Sequence, residues 1–246
     1  MRPVLILGAT STIARHAALA LAKRGHTIYL AGRNRDELAR IAADINTRTG
    51  MPVATGRFEA GEFEGHAALL EDVLQQMGGL YGVVYAAGYQ GVPHASADLR
   101  AKDAATIMSS NLTGAVSILE RCAAYLERQR SGFILGISSV AGDRGRQSNY
   151  IYGASKSGLH TYLQGLRHRM AKSGVRVVSI KPGFVDTPMT AGMKKGLLMA
   201  SPAKVGERIA RATEKGPTTA YVPFFWRFIM LIIRNIPERI FHKTKL

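Results

Sequence analysis

The feature that most constrains this chain is an alternation starting at its first residues, in which short apolar runs are each followed by a longer amphipathic stretch. The runs at residues 4–7, 27–30, 83–85, 133–135 and 177–180 are built mainly from Val, Ile, Leu and aromatic side chains and carry no charge. That is the pattern of strands covered on both faces. Helical spacing covers residues 12–23, 35–46, 64–77, 102–128, 150–172 and 202–214. Strands alternating with helices predict an α/β fold with a single doubly wound parallel sheet, helices on both faces and ligands at the carboxyl ends of the strands. No internal repeat and no Ser/Gly/Pro-rich linker interrupts the pattern, so residues 1–222 are expected to form one domain and residues 223–246 a distinct tail. A length of 246 residues is enough for a substantial core.

Composition narrows the partners. Apolar residues at 46% and charged residues at 20% argue against disorder. The lone cysteine, Cys122, excludes an intramolecular disulfide framework and a cysteine-based metal cage, so a cytoplasmic protein with no metal site is expected. With 33 basic and 17 acidic side chains the formal charge is +16, which favours a phosphorylated ligand, an anionic membrane surface or nucleic acid. Basic motifs interleaved with base-stacking aromatics are missing, so no nucleic-acid partner is expected. No run approaches the ~20 apolar residues that span a bilayer.

The first strand leads into Gly8-Ala9-Thr10-Ser11-Thr12-Ile13-Ala14 and then a helix. A glycine permits a tight turn, and the helix N-terminus offers free N–H groups to a pyrophosphate. The G-x-G-x-x-G fingerprint is absent; Thr10, Ser11 and Thr12 offer hydroxyl donors instead, or are ordinary helix caps. After the second strand stands Ala31-Gly32-Arg33-Asn34. An acid there would hold the adenosine ribose and repel a 2′-phosphate, whereas the Arg33 guanidinium suits a phosphate. This favours NADP(H) over NAD(H), the alternative being a solvated arginine at a helix start.

Tyr152 and Lys156, four apart on a predicted helix, share a face, and Ser138-Ser139 closes the preceding strand. A tyrosine with an ordinary pKa of about 10 is a poor base at neutral pH. An ammonium ~4 Å away at an effective dielectric of ~20 contributes about 4 kcal/mol, enough to bring the phenol toward neutrality, where general acid/base catalysis works best. A serine hydroxyl beside it would hold a carbonyl oxygen.

Taken together these residues resemble the short-chain dehydrogenase/reductase family, and the resemblance covers about residues 3–222. Ser139 stands thirteen residues before Tyr152 of the Y-x-x-x-K motif, and Asn111 matches the family's helical asparagine. Ala86-Ala87-Gly88 stands for N-A-G, and Pro182-Gly183-Phe184-Val185-Asp186-Thr187 for P-G-x-V-x-T. The resemblance implies a Rossmann-type fold and hydride transfer between a nicotinamide and a carbonyl or secondary alcohol. Tyr152 would be the proton donor in reduction, and Lys156 would lower its pKa and bind the nicotinamide ribose. Ser139 would polarise the carbonyl, and Asn111 would position a water in the proton relay. Gly8, Thr10, Ser11, Thr12, Ile13, Ala87, Gly88, Pro182, Gly183, Val185 and Thr187 would line the cofactor, with Glu59 at the adenine. A small-molecule carbonyl substrate and a homo-oligomer, dimer or tetramer, are implied too. The sequence departs from T-G-x-x-x-G-x-G at Thr12 and Ala14, from apolar-Asp-Val at Phe58-Glu59-Ala60, and from N-A-G at Ala86. The altered glycine turn keeps open a reading of another class, a cofactor-binding scaffold without turnover.

The tail is nearly all apolar from 224 to 233, broken by Arg227, with Arg234 seven residues later on the same helical face. It is either a capping helix buried on protein or an interfacial membrane anchor, helped by Phe224, Phe225, Trp226 and the basic His242, Lys243 and Lys245. A narrower resemblance links the Phe-acid-Ala segment, the absent acid after strand two and the tail to reductases of decaprenylphosphoryl 2-keto-pentose. It implies a lipid-linked carbonyl substrate and a peripheral place at the inner face of the membrane. Arg144 and Arg146 would then meet a substrate phosphate, unless they are solvated loop residues; Tyr89, Gln90, Met189 and Met193 are expected to line the pocket.

Overall fold

All five apolar runs form strands, and two weaker strands complete the sheet. The computed structural model describes residues 1–92, 97–192 and 196–244. Its first half runs β1 (Arg2–Leu7), α1 (Thr12–Ala22), β2 (His26–Gly32), α2 (Arg35–Thr49), β3 (Val53–Arg57), α3 (Gly65–Met77) and β4 (Gly82–Tyr85). Then follow α4 (Ala97–Met108), a π turn (Ser109–Thr113), α5 (Gly114–Gln129), β5 (Gly132–Ile137), α6 (Tyr150–Arg169) and β6 (Val175–Pro182). The chain continues through β7 (Phe184–Val185), β8 (Met199–Ala200), α7 (Pro202–Glu214), β9 (Thr219–Val222), α8 (Trp226–Asn235) and α9 (Glu238–Phe241). Seven parallel strands pair in the order β3-β2-β1-β4-β5-β6-β9, and β7 and β8 form a separate two-stranded pair.

Side-chain alternation explains why the strands read as unbroken apolar runs. Val4, Ile6, Ile28 and Leu30 pack with α1, α2 and α7 on one face. Leu5, Leu7, Tyr29 and Val83 pack with α3, α5 and α6 on the other, where Cys122 of α5 is fully buried. The two strands outside the apolar runs, β3 and β9, are the sheet edges and are only partly buried, so neither needs a continuous apolar sequence.

The helix expected over 102–128 is divided. Its register is broken by the π turn, whose Ser110 carbonyl accepts the Tyr85 hydroxyl at 2.6 Å. The extra residue in that turn accommodates bonds that an unbroken α-helix would not offer there.

The tail packs on the domain with one face only. Trp226, Met230 and Ile233 are buried with Val140, against Phe184 and Tyr221. Phe224, Phe228, Leu231 and Ile232 are 57–73% exposed. Among the described residues no helix is long and apolar enough to cross a membrane.

Candidate active site

Strand order reverses between β1 and β4, where an open parallel sheet leaves a crevice. Two adjoining cavities lie there, of about 450 Å³ and 290 Å³, and share Thr10, Ser11, Ala86 and Gly88. The larger is lined by Gly8, Arg33, Glu59, Ala87 and Tyr89, among others. The smaller is lined by Thr12, Ile13, Ser139, Tyr152, Lys156 and the turn from Pro182 to Thr190.

The turn after β1 depends on Gly8. Its φ is +75°, and a Cβ there would fall 2.5 Å from the Ala87 nitrogen, so the turn lies directly on the end of β4. Ser11 caps α1, its Oγ accepting from the Ala14 N–H at 3.2 Å. The first turn of α1 therefore faces the crevice with a serine cap in place of further glycines, and Thr12 forms part of the cavity wall. Arg33 is largely exposed and pairs with Glu59 at 3.5 Å, both on the wall of the larger cavity. The start of α1, where both cavities meet, offers the donors that a phosphate group would need.

Three of the four catalytic candidates, Ser139, Tyr152 and Lys156, line the smaller cavity. Ser139 leaves β5 in an extended conformation and begins a short 3₁₀ turn, its Oγ accepting from the Ala141 N–H at 3.1 Å. Tyr152, in the first turn of α6, lines the same cavity as Ser139. Burial pushes the Tyr152 phenol up to about 12, although the neighbouring Ser139 hydroxyl pulls the other way. Lys156 is buried, its Nζ donates to the Ile137 carbonyl at 3.0 Å and lies 5.7 Å from the Tyr152 ring centroid, and burial brings its pKa down to about 8. The expected Coulombic lowering of the phenol is therefore not what dominates here: desolvation of both groups outweighs it, and the ammonium is held by a carbonyl.

Asn111 sits fully buried in the π turn and lines neither cavity. Its Nδ2 donates to the Tyr89 carbonyl at 2.8 Å and to Ser155 Oγ at 2.9 Å, and its Oδ1 accepts from the Tyr89 N–H at 2.7 Å. The side chain thus ties the loop after β4 to α6, the helix bearing Tyr152 and Lys156.

Both arginines expected at a substrate phosphate are engaged elsewhere. Arg144 Nη1 donates to the carbonyls of Ile233, Arg234 and Ile236, and the guanidinium lies 4.0 Å from the Phe241 ring centroid. Arg146 Nη2 contacts the Met230 sulfur at 3.5 Å. They border a separate cavity with Tyr150 and His242, so the chain order that suggested a substrate contact is misleading. Met189 lines the smaller cavity and Tyr89 the larger, Gln90 lines neither, and Met193 lies outside the described residues. Sequence reasoning missed Asp143, Lys181 and Tyr221 and read Trp226 only as part of the tail; the one available signal was a lysine at the end of a largely apolar strand, just before Pro182.

The chain belongs to the short chain dehydrogenase family, which it matches over residues 2–197. It is 33% identical over 241 residues to an uncharacterized oxidoreductase of Mycobacterium tuberculosis, covering 98% of this chain and 96% of the relative. The fold is shared with the NADPH-dependent 3-quinuclidinone reductase of Rhodotorula rubra, with a TM-score of 0.79, 23% identity and coverage of 89% of this chain and 88% of that one. It is shared too with NAD+-bound xylitol dehydrogenase, with a TM-score of 0.80, 20% identity and coverage of 90% and 97%. The chain is accordingly an oxidoreductase of a family that uses NAD(P).

Proposed function

We propose that the protein is an NADP(H)-dependent oxidoreductase that interconverts a carbonyl and a secondary alcohol, with Tyr152 as general acid and base. The observation that carries this reading is the convergence of Ser139, Tyr152 and the buried Lys156 on the lining of one cavity. A bound nicotinamide would supply the hydride. Ser139 and Tyr152 would hold the substrate oxygen between two hydroxyls, and Tyr152, protonated at neutral pH, would give its proton to that oxygen in reduction. Lys156 would bind the nicotinamide ribose and stabilise the phenolate left behind. Gly183, Val185 and Thr187, on the opposite wall, would hold the carboxamide. The preference for NADP(H) is supported by the absence of an acid at the end of β2 and by Arg33 at the mouth of the larger cavity. Oxidation of NADPH and NADH at neutral pH with a panel of soluble ketones tests the reading. NADPH-selective turnover is expected, and cofactor binding without turnover on any carbonyl would favour the scaffold alternative.

A second, finer reading is favoured by the outer face of α8. Phe224, Phe228, Leu231 and Ile232 form one exposed apolar stripe beside the exposed Arg227 and Arg234, the chemistry of an interfacial helix on an anionic bilayer. A lipid-linked keto-sugar as substrate belongs to this reading. Phe228→Ser with Leu231→Ser should release the protein from anionic liposomes while leaving turnover of soluble ketones intact. Equal liposome binding by parent and variant would sink it.

A further inference from the structure

We infer that the inner face of α8 braces the nicotinamide half of the crevice, with Arg144 and Trp226 as its positioning residues; the inference rests on the cofactor reading above. Two segments of that half's lining are the end of β5 at Ser138 and Ser139 and the turn from Pro182 to Thr187. The helix packs beside both. Trp226 is buried so tightly against Gly183 that a Cβ there would fall 1.9 Å from the indole Nε1, and its ring meets Phe184 edge-on at 5.3 Å. The indole N–H is buried without a hydrogen-bond partner, so packing alone sets the position of this ring. Val140, the neighbour of Ser139, lies in the same apolar cluster as Trp226, Met230 and Ile233.

Arg144 closes the arrangement from the other side. A helix C-terminus leaves carbonyls without intrahelical donors and carries the negative end of the dipole. One guanidinium nitrogen reaches the carbonyls of Ile233, Arg234 and Ile236, so the loop after Ser139 caps α8. Beneath it Asp143, nearly fully buried, accepts from Lys181 Nζ at 2.5 Å and from the Tyr221 hydroxyl at 2.8 Å. Lys181 precedes Pro182, so the two walls are joined at their base by an ion pair and across their outer side by one helix. Gly183, on which Trp226 packs, and Ser139, the neighbour of Val140, line the smaller cavity and not the larger. A brace of this shape acts on one end of the cofactor only.

That asymmetry gives the test, made on the full chain. Arg144→Met and Trp226→Leu are compared with the parent for binding of NADPH and of its nicotinamide-free fragment 2′,5′-ADP, with NADH and AMP in parallel, and for kcat. A misplacement of ~1 Å can cost up to about a hundredfold in rate. Both variants should therefore lose at least about tenfold in kcat and in NADPH affinity, while 2′,5′-ADP binding stays within about twofold. Arg144→Lys, which keeps the charge but not the fork, should recover part of the loss and remains informative if Arg144→Met does not fold. Parallel weakening of NADPH and the fragment, or no change in either, would overturn the brace while leaving the cofactor reading intact. A parent that binds neither dinucleotide would overturn the cofactor reading, and the brace with it.

Discussion

The two halves of the crevice are built by different rules. Around Ser139, Tyr152 and Lys156 the groups are partly or fully buried, and the serine and lysine are each bonded to backbone. Around Arg33 and Glu59 the groups are more exposed, pair through a single ion pair, and stand near the family's altered positions at Thr12 and Ala86. Proton transfer needs groups fixed to a few tenths of an ångström, so substitution there is severely penalised. A phosphate can be held by backbone N–H groups, a hydroxyl or a guanidinium in several arrangements, which leaves the adenosine half free to vary.

Removing the phenolic hydroxyl should separate the halves most sharply. Tyr152→Phe is expected to lower kcat by about 10²- to 10⁴-fold, with NADPH affinity unchanged, as read by steady-state kinetics and a fluorescence titration. Next in size comes pH. Tyr152, pushed up to about 12, stays in its acid form through neutral pH, whereas Lys156, brought down to about 8, loses its charge above that value. The kcat/KM for ketone reduction should be level below neutrality and fall as pH rises through about 8. A profile level to pH ~10 would show that the lysine charge plays no part in the rate-limiting step.

Effects on the adenosine side should be smaller and confined to selectivity. Arg33→Ala should reduce the NADPH-over-NADH preference by roughly tenfold, about the worth of one charge-assisted hydrogen bond, with kcat at saturating cofactor preserved. Glu59→Gln, which frees Arg33 from its carboxylate partner, should tighten NADPH by only about two- to threefold, since exposed ion pairs are weak. A fall in kcat with either variant would erase the distinction between the two halves.

The same contrast governed what could be read in the sequence. Tyr152 and Lys156 could be placed together because a helix converts a spacing of four into a shared face, whereas Ser139 was chosen over Ser138 only by the family's spacing. The central strands were legible because burial on both faces demands unbroken apolar runs. The ion pair of Asp143 with Lys181 joins residues 38 apart, and the Tyr221 hydroxyl reaches Asp143 across 78, with no local signature. Arg144 looked available for a phosphate because sequence shows a charge but not the three carbonyls that claim it. The break in the long helix escaped notice because a π turn shifts register by one residue without altering the apolar character around it.

The burial of Cys122 in the middle of α5 has a practical consequence. It is the chain's only thiol, with no exposed surface and its pKa pushed up to about 12 by burial. Alkylation requires a thiolate in contact with reagent, so it must wait until α5 parts from the sheet. A mass shift of one label per molecule would therefore count single opening events of the central layer, giving a built-in clock for native-state unfolding that needs no engineered probe.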